Sequence, residues 1–303
     1  MTISASSTQA RSRSRSSKRV VRLPYVLPAA IFLAVLSAYP LVQLVRMSVS
    51  EVSARTLRNP WEFIGFDNFI QGFESGDTQA ALVRTLIFVS IVFTIGMIGG
   101  LAAAIALRER RGAGGFLLAL MVFVWALPPV VNGSVWKFLM GEAGLFNEAA
   151  RGLGLGTIPF LYDPNIALIS VALVTSWAVI PFNALVFRAA LLGVPHEVIE
   201  AARLDGARPW QEIRHILIPS ARPTAIVLSV LTLVYAFKGF DYIYVMTLGG
   251  PGTATVTLPF LGYLQAFARF DFGLGSATAL IAGALVVVLA VFYARNVRKE
   301  ETS

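Results

Sequence analysis

The residues of this chain that could do chemistry fall into two groups. The first group is polar and aromatic side chains set inside long apolar runs. Lys238 and Asp241 stand three apart, hence on one face of a helix, where they can pair with each other. Tyr235 and Tyr242 lie on or near that face. Thr175, Trp177, Phe182 and Asn183 surround Pro181, whose missing amide hydrogen frees a carbonyl and favours a kink. Asn132 follows the Pro128-Pro129 pair. Amide and hydroxyl groups beside aromatic rings near broken helices suit a solute that offers hydroxyls for hydrogen bonding and C–H faces for stacking. The plainer reading is interfacial anchoring for the Trp and Tyr residues and a structural ion pair for Lys238 and Asp241. The second group is a short run in a polar segment: Glu200, Ala201, Ala202, Asp205, Gly206 and Ala207.

Much other chemistry is absent from the sequence. There are no cysteines and only two histidines, His196 and His215, which removes disulfides, thiolate sites and a histidine-rich metal centre. No Gly-x-Ser-x-Gly or His-Glu-x-x-His occurs, so an intramembrane enzyme lacks its paired catalytic residues. Gly-Lys-Ser/Thr never occurs either, so nucleotide must bind another chain.

The elements that hold these residues are set by composition. The 303 residues are 56% hydrophobic and 14% charged, with a mean hydropathy of +0.70. A soluble domain carries about 25% charge. Six apolar runs, at about 25–45, 82–107, 116–140, 166–187, 224–246 and 273–294, approach or exceed the roughly 20 residues a bilayer core requires. An all-α integral membrane protein with six transmembrane helices is expected. The first run is longer than a signal peptide needs and reads as a retained helix. Residues 1–22, rich in Ser and Arg, read as a disordered basic tail that touches anionic lipid, and 23–303 as one membrane domain.

Orientation follows from Lys and Arg, which are retained on the cytoplasmic side. With the N-terminus inside, the inner segments 1–22, 108–114, 188–223 and 295–303 hold 17 basic residues, and the outer loops 48–81, 141–165 and 248–272 hold 4. Both termini are therefore expected inside. The net charge of +8 needs no nucleic acid to explain it.

The inner segment 188–223 carries its own helical signals. Pro195 suits a first turn, Glu197 and Glu200 suit the positive end of a helix dipole, and Gly206 can end that helix in a left-handed conformation. Pro209 opens a second short helix bearing Trp210, Ile213, Ile216 and Leu217, which Pro219 is expected to end before Pro223 starts the next span. On physical grounds two readings stand: a knob that docks in a partner's groove, or a connector lying on lipid headgroups.

Glu200-Ala201-Ala202, three residues, Gly206, nine residues and Ile216-Leu217-Ile218-Pro219 resemble the EAA loop of ABC importer permeases, with Ile218 where that family usually has Leu. Further segments resemble the carbohydrate permeases of the MalF, LacF and UgpA type. They are Phe63 to Phe69, Leu127-Pro128 through Lys137 and Gly144 to Asn147, and Phe237 to Asp241 with Thr247 to Pro251. The resemblance implies a type I importer (MetI-like) permease fold with a cytoplasmic coupling helix, in a bacterial or archaeal cell membrane. It implies a second homologous permease, two ATPase subunits that meet the EAA loops, and an external solute-binding protein. ATP and Mg would sit on the ATPase subunits, and this chain would bind no cofactor and catalyse no reaction. Glu200, Ala201, Ala202, Asp205, Gly206 and Ala207 would form the coupling element. The solute would be a sugar or, as the alternative, a polyol, a glycerophosphodiester or another non-sugar.

Overall fold

The computed structural model describes residues 23–108 and 113–301. The tail expected at 1–22 lies outside the described residues. The chain divides into one unit up to Gln43 and a second from Leu44 onward. Most of the helix α1 (Leu23–Ser48) makes up the described part of the first, and its 30–43 stretch exposes apolar side chains throughout.

The second unit contains every other element. A two-residue hairpin, β1 (Ser50–Glu51) with β2 (Glu62–Phe63), precedes the short α2 (Asp67–Glu74). Two long helices follow, α3 (Asp77–Ala106) and, further on, α7 (Ala167–Leu192). They pack together along most of their length because α3 presents Gly96, Gly99 and Gly100 to Val179, Ile180 and Asn183 of α7. Lipid tails are as apolar as Leu, so close packing of small residues rather than burial holds such helices together.

Between these two lie α4 (Ala113–Ala126), α5 (Pro129–Leu139) and α6 (Leu145–Gly152). The single third span expected at 116–140 is instead a broken one: α4 and α5 meet at 101°. Pro129 keeps the residue before it out of the helical region, so Pro128 is extended at ψ 138°, and Pro129 restarts the helix at its first position. Counting this bent pair once, the described residues hold six helical segments apolar enough to cross a bilayer; five are unbroken by the same criterion.

After α7 come α8 (His196–Leu204), α9 (Pro209–Glu212), a π turn over Ile213–Leu217, α10 (Ile218–Lys238) and α11 (Asp241–Met246). The expected stop at Pro219 is not observed; helix runs without interruption from Pro209 through Pro219 and Pro223 to Lys238. The widened π turn directly before Pro219 explains this. The Ile218 N–H bonds to Ile213 O, five residues back, so the turn is wider than an α turn where the Pro219 ring has to fit. The fifth span breaks at its other end, where Gly239 is extended at ψ 115°.

The chain closes with α12 (Leu258–Tyr263), a second π turn at Leu264–Ala268 and α13 (Phe272–Glu301). One buried cluster joins Phe88 and Val92 of α3, Val171 of α7, Ile243 of α11 and Phe260 of α12. A second joins Ala104 of α3, Phe187 and Leu191 of α7, Ile199 of α8, and Leu217 and Leu228 further on.

Candidate functional site

The loop at the end of α7 forms a bent bracket. Pro195, extended at ψ 140°, sets the entry to α8, and Gly206 ends it at φ +83°. The Gly206 N–H donates to Arg203 O at 3.0 Å and the Ala207 N–H to Ala202 O at 2.9 Å. That double closure needs a left-handed residue where Gly206 stands, which accounts for the spacing between Ala202 and Gly206. The Arg203 guanidinium then reaches across the bend to Glu212, with Nε to Oε1 at 2.9 Å and Nη2 to Oε2 at 3.1 Å. Two parallel bonds between planar groups fix the angle between α8 and α9 more firmly than one would.

One face of α8 points into the protein. Ile199 is 0% exposed and packs in the cluster with Leu191, Phe187 and Leu217. The opposite face is open. Glu200 and Ala201 are exposed, Ala202 is half-buried, and Leu204 and Trp210 stand 89% and 64% exposed. Glu200 has His196 3.8 Å away on its own helix. A shallow cleft of about 270 Å³ runs between the arms, lined by Ala202, Asp205, Gly206, Ala207, Gln211 and neighbouring residues. Two arginines tie the bracket's root to the spans. Arg108 Nε donates to Leu191 O at 3.1 Å and Nη2 to Val194 O at 3.4 Å, while Arg188 Nε donates to Leu107 O at 3.0 Å. Each puts a cation on the carbonyls at a helix end, where the dipole favours it.

Sequence reasoning singled out the exposed face and missed Ile199, Glu212 and the two tethering arginines. Opposite charges nine residues apart astride Gly206 were the one available signal for the Arg203–Glu212 clasp.

The second site is a cavity of about 460 Å³ at the two helix breaks. Trp125 and Pro129 line it from either side of the first break, and Tyr235 and Tyr242 from either side of the second. From α7 come Phe182 and Asn183, and Trp125 stacks on Phe182 with ring centres 5.5 Å apart at 24°. Asn183 Oδ1 accepts from Thr232 Oγ1 at 3.2 Å, and both residues line the wall. Behind the wall Asn132, 3% exposed, donates from Nδ2 to the Tyr242 hydroxyl at 3.2 Å. Gly133 lets α5 approach this closely, since a Cβ there would lie 3.3 Å from Val245.

Five of the nine expected path residues are thus brought together: Asn132, Phe182, Asn183, Tyr235 and Tyr242. The other four stand apart from the wall. Thr175 is buried and donates to Val171 O of its own helix at 2.8 Å. Trp177 packs edge-on against Trp136 at 5.1 Å. Lys238 and Asp241 do not share one helix face, because the helix breaks between them. Among the described residues they make no ion pair with each other. Instead Lys238 closes α10 and Asp241 opens α11, each at the helix end that favours its charge.

Residues 95–301 match the family described as binding-protein-dependent transport system inner membrane component. The chain is 30% identical over 232 residues to the trehalose/maltose transport system permease protein MalF of Thermococcus litoralis, covering 76% of this chain and 78% of that one. It is 33% identical over 282 residues to the sn-glycerol-3-phosphate transport system permease protein UgpA of Yersinia pestis, covering 92% and 95%. Its fold resembles a chain of a bacterial ABC transporter involved in the import of the acidic polysaccharide alginate, with a TM-score of 0.78 over 91% of this chain and 94% of that one, at 23% identity. A match across two thirds of the sequence, spanning both the cavity and the bracket, makes this chain a member of the family of inner membrane components of binding-protein-dependent transport systems.

Proposed function

We propose that the chain is the half-channel through which an ABC importer carries a sugar or sugar-like solute inward. The solute is delivered by an extracytoplasmic binding protein, and ATP hydrolysis on separate subunits drives the cycle. A second, homologous permease completes the path, two ATPase subunits engage the EAA loops, and both termini lie in the cytoplasm. The observation that carries this reading is the bracket's two-faced build: Ile199 is sunk among the ends of the spans while Glu200 and Ala201 face outward on the same short helix and the half-buried Ala202 lines the cleft beside them. Small alanines permit close approach of another protein. Because the bracket is clasped by Arg203 and Glu212, a push on the outer face reaches α7 and α10 as a rigid displacement rather than being absorbed locally. The names of the relatives support the solute class, and the aromatic and amide lining of the cavity is consistent with it.

The test is the charge of the outward face. Glu200→Lys should abolish uptake and reduce co-purification of the ATPase, with the permease still present in the membrane at its usual level. Uptake at the unaltered rate would refute the coupling role.

A further inference from the structure

The short helix α2 sorts its side chains onto three edges. Asn68 and Gly72 are buried against the protein. Asn68 Nδ2 donates to Ser48 O at 2.9 Å and to Ser50 O at 3.0 Å, and a Cβ on Gly72 would stand 3.0 Å from Thr78 Oγ1. Asp67, Gln71 and Glu74 form a second, polar edge, and all three are exposed. Phe66, directly before the helix, with Ile70 and Phe73 forms the third edge at the i, i+4, i+7 spacing. These three are 70%, 51% and 43% exposed. A helix on the surface of a soluble domain turns its apolar stripe to the core. Here the inward contacts are an amide and a glycine, and the two bonds of Asn68 fix the roll that leaves the apolar stripe outside.

Depth decides what covers that stripe. The membrane-spanning α3 starts at Asp77, three residues after α2 ends at Glu74. The exposed large apolar side chains of α3 begin at Val83, six residues or about 9 Å along the axis from Asp77. So α2 sits at the mouth of a span, within the 5–10 Å over which headgroups give way to acyl chains. Trp61 marks the same region of the chain: Arg46, in the last turn of α1, lies over its ring at 5.3 Å from the centre, and Trp is enriched at membrane–water boundaries. A helix lying in that boundary meets protein, water and acyl chains at once, and α2 has one edge suited to each. Its polar edge carries Asp67 and Glu74 and no cation, so attraction to anionic headgroups adds nothing and the apolar edge supplies the contact. We infer that α2 is an in-plane membrane anchor, with Phe66, Ile70 and Phe73 sunk in the acyl boundary of the bilayer, and that it holds the entry of α3 at a fixed depth.

The chain has no cysteine, so Ile70→Cys, Phe73→Cys and Gln71→Cys can each be spin-labelled at a single site. The labelled chains are measured in the complete importer, reconstituted in phosphatidylcholine vesicles, by electron paramagnetic resonance with oxygen and a water-soluble nickel complex as the colliding reagents. Labels at 70 and 73 should meet oxygen several-fold more often than the nickel complex, and the label at 71 should show the reverse. Adding phosphatidylglycerol should leave these ratios unchanged. Nickel access at 70 and 73 equal to that at 71 would put the stripe in water and overturn the anchor. Exclusion of both reagents at 70 and 73 would mean that a protein covers the stripe, and would overturn it too. An oxygen preference seen only with phosphatidylglycerol would also overturn it, because charge rather than apolar burial would then hold the helix. If one of the two stripe variants fails to insert, the other decides alone. Neither solute nor ATP enters the measurement, so its outcome is separate from that of the importer reading.

Discussion

Gly100 shows how little room single positions leave in this protein. A Cβ built there would stand 2.5 Å from Asn183 Cβ and 3.2 Å from the backbone of Asn183 and Ala184. Neither neighbour can yield by turning a side chain, so Gly100→Ala must push α3 and α7 apart. The expected cost is that of overpacking, roughly 1–3 kcal/mol. It would be seen as a lower unfolding temperature of the purified assembly in detergent. Because Asn183 also lines the cavity, the same substitution should weaken uptake, whereas Gly115→Ala, which meets nothing within 4 Å, should change neither. Equal unfolding temperatures for the two variants would show that the helices are not held at this distance by Gly100.

At the scale of elements, the bracket and the broken spans are rigid parts joined at defined points. The bracket's stiffness rests on one clasp. Arg203→Ala removes both bonds to Glu212, whose side chain is only 10% exposed and keeps its charge where little water reaches it. The expected outcome is a permease that still assembles with its ATPase, since Glu200, Ala201 and Ala202 are intact. Its ATP hydrolysis should rise less on adding the loaded binding protein, and its uptake should fall several-fold. Stimulation and uptake equal to those of the unaltered protein would mean the angle between α8 and α9 does not transmit force. The elements themselves were partly legible in advance. Pro195, Gly206 and Pro209 mark where α8 and α9 begin and end, because each restricts or frees the backbone locally. Pro219 misled, because the π turn that accommodates it is a rearrangement of the preceding five residues.

For the whole molecule, the testable quantity is which side of the membrane each loop occupies. The absence of cysteine makes the chain suited to single-cysteine labelling. Leu204→Cys, at a position 89% exposed on the bracket, should react with an impermeant maleimide only in inverted vesicles. Phe63→Cys, 75% exposed in the loop after α1, should react in intact cells. The opposite pattern would reverse the orientation and remove the bracket from any cytoplasmic ATPase.

The sequence by itself determined the apolar runs, the charge asymmetry between loops and the spacing of the EAA segment, since hydropathy, charge and the glycine at a helix end act on residues close together in the chain. It also marked Asn132, Phe182, Asn183, Tyr235 and Tyr242, without saying which of them meet. That was decided by tertiary structure: the 101° turn after α4 and the break at Gly239 bring residues 110 positions apart, Asn132 and Tyr242, within 3.2 Å. The same breaks separate Lys238 from Asp241. Helical spacing predicts neighbours only while the helix continues, and whether it continues past a proline or a glycine depends on what packs against it.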